Sequence, residues 1–229
     1  MANWSFEIDV ADNFIVGLTE TLIDKGFRIW YFQHYEQPLY LFSSAYLAGV
    51  PEEQVYAQAC QLARFIDGIS YLLFENKDKV NKITLTTVID VDTFIVKNVP
   101  RTPILPVNID FSGYKPGVIE DEDPVAHLLK LVPVDVFIRE LLLILSQGMD
   151  LKSVRQAYEL VTALLIEKGS LLDFERVGPD ASMSLKEAQD LVSNLIFGVL
   201  ERYYRIYLRH CVVKDREGGA SDWYDSLYD

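Results

Sequence analysis

Trp4-Ser5-Phe6-Glu7-Ile8-Asp9-Val10 sets apolar and polar side chains in strict alternation, which in an extended chain puts Trp4, Phe6, Ile8 and Val10 on one face and the polar residues on the other. That is a strand with one buried and one wet face. The next stretch, residues 14–25, is ambiguous, but Ile15, Leu18 and Leu22 keep helical spacing and Lys25-Gly26 reads as a helix end. The aromatic run from Phe27 to Tyr35 reads as a second strand.

Over residues 51–74 the period changes. Val55, Ala59, Leu62, Ile66, Ile69 and Leu73 recur at steps of four and three, the signature of a helix with one apolar stripe. Pro51 suits its first turn, and Glu52 and Glu53 complement the positive end of its dipole. In residues 81–99 the β pattern returns: Ile83 and Leu85 alternate with Lys82, Thr84 and Thr86, and Ile89, Val91 and Ile95 follow. This predicts either two strands or one strand with a bulge.

Pro100, Pro103 and Pro106, then Pro116-Gly117 and the acidic run from Glu120 to Asp123, make residues 100–124 a connection between two differently built halves. A proline-rich peptide ligand would have the same spacing, but Arg101 is its one flanking cation and a linker is the better reading. Beyond it the period is helical. Val134, Ile138, Leu141 and Leu145 form a stripe closed by Gly148; Asp150 caps a second stripe of Leu151, Val154, Tyr158, Val161 and Leu165, closed by Gly169. Ser184 and Glu187 make a capping box for a helix predicted to run to about residue 212, with Ala188, Val192, Leu195, Val199 and Ile206 inward. The expected fold is α+β. A small sheet with one long helix (1–99) leads through the connection (100–124) to a helical bundle (125–212) and an acidic tail (213–229).

The chain has 229 residues, half of them hydrophobic, and a net charge of −13 concentrated in residues 120–123 and the tail. This composition predicts a packed core and argues against duplex DNA bound over a broad face, which needs clustered cations. No apolar run reaches the roughly 18 to 20 residues of a membrane span. Residues 1–9 lack the basic-then-apolar order of a secretory signal, so the expected location is cytoplasmic. Cys60 and Cys211 are far apart, neither has a ligand neighbour at metal spacing, and both are expected as thiols. No metal site, phosphate loop, dinucleotide fingerprint or nucleophile elbow is present, and no cofactor is expected. His34, in an aromatic strand end, could serve as a base, but a hydrogen-bonded structural histidine is the better reading, and His127 reads as capping or solvating a helix start.

One cluster carries more chemistry: Arg202, Arg205, Arg209 and His210. On an uninterrupted helix the arginines fall at i, i+3 and i+7 on one face, with His210 beside it. Cations among aromatics suit a phosphate or a single-stranded base, with Arg202 and Arg209 as phosphate ligands. The bland alternative is that they favour the negative end of the helix or pair with nearby acids, and it is favoured.

Phe137 to Leu145, Leu151 to Leu165, Ser193-Asn194 and the Arg205 and His210 pair make residues 136–210 resemble the carboxy-terminal helical part of bacterial HEPN-type proteins. The resemblance implies a helical half that dimerises. In catalytic members it implies a metal-independent ribonuclease site in which His210 moves the 2′-hydroxyl proton while Arg205 stabilises the phosphorane. Active members usually carry a polar residue where this chain has Ile206, and many relatives are non-catalytic. The leading expectation is therefore a non-enzymatic binding or assembly module, self-associating through the helical half, with a protein or RNA partner open. The alternatives are an HEPN-type endoribonuclease using Arg205 and His210, and a small-molecule sensor.

Overall fold

Among the described residues, a five-stranded, wholly antiparallel sheet and five α-helices make an α+β fold. The structure, a computed structural model, describes residues 4–9, 26–34, 37–74, 80, 82–93, 95–99, 109, 111, 124–170, 178–179 and 182–211, with backbone alone for 31–34, 37–38 and 210. The expected helix in 14–25 and the tail lie outside these residues.

Strands β1 (Trp4–Asp9), β2 (Arg28–His34), β3 (Gln37–Ser43), β4 (Thr84–Asp90) and β5 (Ile95–Asn98) are ordered β2-β3-β1-β4-β5. β1 is central, so its alternation places Trp4, Phe6 and Ile8 in the core while Asp9 is exposed. Trp4 Nε1 donates to the Val50 carbonyl at 3.1 Å, which satisfies the one polar atom of a buried indole. Register slips between Glu7 and Ile8 against β4, and Thr87 Oγ1 donates to Glu7 Oε2 at 2.7 Å beside the bulge. Residues 81–99 form two strands: β4 and β5 make a hairpin whose turn begins with Asp90 Oδ1 accepting from the Asp92 amide at 3.0 Å.

By their internal contacts the residues divide into two units, 1–67 with 81–134 and 68–80 with 135–229. Helix α1 (Glu52–Leu73) contributes to both, and every residue of its expected stripe is buried. In the first unit, Phe65 of α1 meets Phe27 edge-on at 6.1 Å, and Phe6, Phe42, Phe65, Leu62 and Ile66 are almost fully buried. Each such side chain contributes roughly 1.5–3 kcal/mol of transfer free energy. Helix α2 (Pro124–Leu131) buries Val125, Ala126, Leu128 and Leu129 in the same unit, with His127 half-buried. Most of the expected connection 100–124 lies outside the described residues. Of that stretch, the described Ile109 is buried and the described Phe111 meets Tyr46 edge-on at 5.0 Å.

The second unit holds α3 (Val136–Leu145), α4 (Leu151–Glu167) and α5 (Leu185–Val199). Asp135 and Asp150 cap α3 and α4, accepting from the Ile138 and Ser153 amides at 3.0 and 2.8 Å. The predicted capping box opens α5: Glu187 N–H donates to Ser184 Oγ, and Ser184 N–H donates back to Glu187 Oε2. Gly148 and Gly169, at φ 117° and 66°, follow α3 and α4 where Gly was expected to close them. The inward stripes shift slightly from expectation, since Val134 and Leu151 are exposed (49% and 50%) and Ile196 and Phe197, not Leu195, complete the buried side of α5.

Gln189 Nε2 donates to the Met149 carbonyl at 2.7 Å, so α4 and α5 start at the same end of this unit. The short link 146–150 makes α3 antiparallel to α4. The exit of α5 therefore returns to the start of α3, where the basic cluster lies.

Candidate functional site

After Val199 the last helix does not continue to residue 212. It widens into a π-turn, Leu200–Tyr204, and stops at Arg205, whose backbone is left-handed (φ 56°, ψ 34°). The Arg205 and Ile206 amides both turn back to the Leu200 carbonyl, the latter at 3.1 Å, so one acceptor closes the helix where no glycine is available. The chain then returns through a 3₁₀ turn, Leu208–Cys211. Ile206, Leu208 and Cys211 are buried and fix the return, because burying three apolar groups outweighs the cost of one strained residue. The expectation that Arg202, Arg205 and Arg209 share one helix face is thereby corrected: a chain reversal separates Arg209 from the other two.

Each of the four residues has a definite place. Arg209 is clasped: its Nε donates to Glu201 Oε1 at 2.8 Å, Nη1 to Asn194 Oδ1 at 2.9 Å and Nη2 to the Asn194 carbonyl at 3.3 Å. Its guanidinium also lies 5.4 Å from the Phe197 ring centre. These contacts tie the returning segment to α5 and engage most of the guanidinium fork. Arg202 is exposed beside Tyr203, with its guanidinium 5.8 Å from that ring. Arg205 is exposed at the left-handed position. His210 has its backbone in the 3₁₀ turn, and its side chain lies outside the described residues.

The π-turn also binds the start of α3. Tyr204 stacks on Phe137 with ring centres 6.1 Å apart and planes 9° from parallel. Burial first, then the Asp135 carboxylate that accepts its hydroxyl hydrogen bond, push the Tyr204 phenol well above the usual tyrosine range. One carboxylate thus caps α3 and holds the exit of α5. Tyr203 Oη and Ser193 Oγ are buried without a hydrogen-bond partner among the described residues.

Elsewhere, burial shifts three groups on α1. The Cys60 thiol on α1 is pushed up to about 11 by burial, and Tyr56 to about 12, chiefly by burial and then by Cys60. A thiol with that pKa holds its proton at neutral pH. Asp67, also on α1, is buried with Oδ1 accepting from the Ile83 amide at 2.8 Å; burial raises its pKa to about 6 despite that bond and the nearby Lys82 and Arg64. Its hydrogen bond pins the approach to β4. Among the described residues no group of three His, Cys, Asp or Glu side chains is placed to hold a metal ion, and no helix is long and apolar enough to cross a membrane.

The sequence singled out Arg209 but missed its partners. Asn194 and Glu201 lie 15 and 8 positions upstream, and only a chain reversal brings both to one guanidinium. The signal available was the Ser193-Asn194 pair, quoted for a different reason. No protein-family model, no curated protein and no solved structure matches this chain.

Proposed function

We propose that the protein is a non-enzymatic binding or assembly module that self-associates through its helical half, with the basic cluster serving as a clasp on the last helix. The observation that carries this reading is the three-point grip of Arg209 on Glu201 and Asn194. A guanidinium committed to its own helix is costly to recruit for a phosphate, because a ligand must displace charge-assisted bonds before it gains any. The same unit exposes apolar side chains near the exit of α5. Val136 and Ile166 are 60% and 59% exposed at the start of α3 and the end of α4, and Tyr207 is 57% exposed beyond the reversal. Exposed apolar groups gathered at one end of a bundle fit a self-complementary interface.

Light scattering at micromolar concentration tests this. The expected mass is twice the 26.2 kDa of one chain, falling to one chain in a Val136→Asp, Ile166→Asp double variant. A single-chain mass for the wild type at every concentration contradicts it.

The second reading is the metal-independent HEPN-type endoribonuclease. One feature favours it: Arg205 is a non-glycine residue held in a strained backbone conformation and exposed, as groups poised for chemistry often are. Against it, the same conformation serves to end the helix. The expected cytoplasmic location and the bacterial affinity belong to this proposal as well.

A further inference from the structure

The charged side chains around the exposed apolar groups Val136, Ile166 and Tyr207 are sorted by sign. Glu140 is exposed one turn beyond Val136 on α3, and Glu167 is exposed next to Ile166 at the end of α4. On the other side, Arg205 is exposed two residues before Tyr207, and its guanidinium makes no hydrogen bond or ion pair among the described residues. Tyr204 shows that the two sides adjoin: its ring stacks on Phe137 of α3, and its phenol is raised by burial, then by Asp135, then by Glu167. The neighbouring charges do not cancel this order. Lys168 lies 3.6 Å from Glu167, but both heads are well exposed and such a pair contributes little. Arg139, beside Glu140, is half-buried, and Glu201 is taken up by Arg209.

The two signs decide what complements such a face. A basic partner matches only the α3 and α4 side, and an acidic partner only the exit of α5. A second copy turned about a two-fold axis sets basic on acidic at both sides, while its own Val136, Ile166 and Tyr207 cover the apolar centre. We infer that two copies are held in register by charge, Arg205 of each chain pairing with Glu140 and Glu167 of the other. This rests on the self-association proposed above and adds what orients it. It also makes association salt-dependent, because rim charges are screened while the apolar centre is not. Arg205 thereby has a use beyond ending the helix, as the cation that tells a correctly turned copy from a misaligned one.

Sedimentation equilibrium of the full chain tests this with three proteins: wild type, Arg205→Glu, and the double variant Glu140→Lys, Glu167→Lys. Each variant sets like charges against each other at two symmetry-related places, and its dimer should dissociate about tenfold more readily than wild type. An equimolar mixture of the two variants should recover wild-type affinity, because each then matches the other. The wild-type dimer should itself weaken between about 0.1 M and about 1 M sodium chloride, as the screening length falls from about 10 to about 3 Å. The salt series uses wild type alone and so decides even where a variant fails to fold. A mixture of folded variants as weak as its components, or a wild-type dimer indifferent to salt, overturns the charge register and leaves self-association standing. A wild type of single-chain mass, or a dimer that also ignores Val136→Asp, Ile166→Asp, overturns both.

Discussion

Replacing Asp67 by Asn should make the protein more stable at neutral pH and leave it nearly unchanged in acid. The Asp67 carboxyl is buried, and its pKa rises from 3.8 to about 6 on folding, with desolvation the largest cause. A raised acid pKa means that the folded state binds the proton more tightly than the unfolded state. The associated stability is therefore fully present below about pH 4, is lost as pH rises from about 4 to about 6, and stays lost above that. Two pKa units correspond to about 3 kcal/mol, a net figure in which the Ile83 amide, Lys82 and Arg64 already offset part of the burial cost. Asn keeps an oxygen for the Ile83 amide and removes the charge. Urea unfolding of wild type and Asp67→Asn from pH 4 to pH 8 should therefore give curves that coincide near pH 4 and separate by about 2–3 kcal/mol above pH 6.5, with the variant more stable. The difference between the two proteins cancels the other carboxylates, including Asp150, whose lowered pKa works in the opposite direction. Asp67→Ala should be destabilised at every pH, because the Ile83 amide loses its acceptor. Parallel curves for wild type and Asp67→Asn across the whole range would refute the reasoning.

The remaining expectations concern the helices. Gly68→Ala should destabilise by about 2 kcal/mol despite the better helix propensity of Ala, since a Cβ there would lie 2.2 Å from the Leu142 carbonyl oxygen of α3 and backbone cannot swing aside; urea midpoints measure it. Arg205→Gly should leave stability unchanged or raise it by up to about 1 kcal/mol, because Gly takes the left-handed position without strain, whereas the same change inside a continuous helix would cost about 1 kcal/mol. Arg209→Ala should cost about 1 kcal/mol or less, given that its ion pair with Glu201 is partly exposed, and should raise hydrogen exchange at residues 206–211 while the sheet amides stay protected.

What the sequence revealed and what it hid follow from how local each cause is. The alternation of β1 and the stripe of α1 record burial on one face, and Asp150, Ser184 and Glu187 make bonds within three residues of themselves, so all were legible. β3 was not, because Pro38 breaks the apolar alternation of Gln37–Ser43 and the strand is defined by pairing with β1 and β2. The end of α5 was missed for a similar reason. No Gly or Pro marks it, and Arg205 adopts the left-handed conformation because Ile206, Leu208 and Cys211 gain more by turning inward. The site inherited that error: a periodicity argument put three arginines on one face, and the reversal instead turned Arg209 back onto Asn194 and Glu201.

Incubating the wild type with single-stranded RNA in the presence of a metal chelator, beside a His210→Ala variant, tests the central claim most directly. A structural clasp and a non-enzymatic module predict intact RNA with both proteins. In that case His210→Ala changes the melting temperature if the imidazole is hydrogen-bonded in the bundle, with a stability loss of roughly 1 to 3 kcal/mol. Cleavage by the wild type that disappears in His210→Ala at an unchanged melting temperature would contradict the claim and make Arg205 and His210 a ribonuclease site.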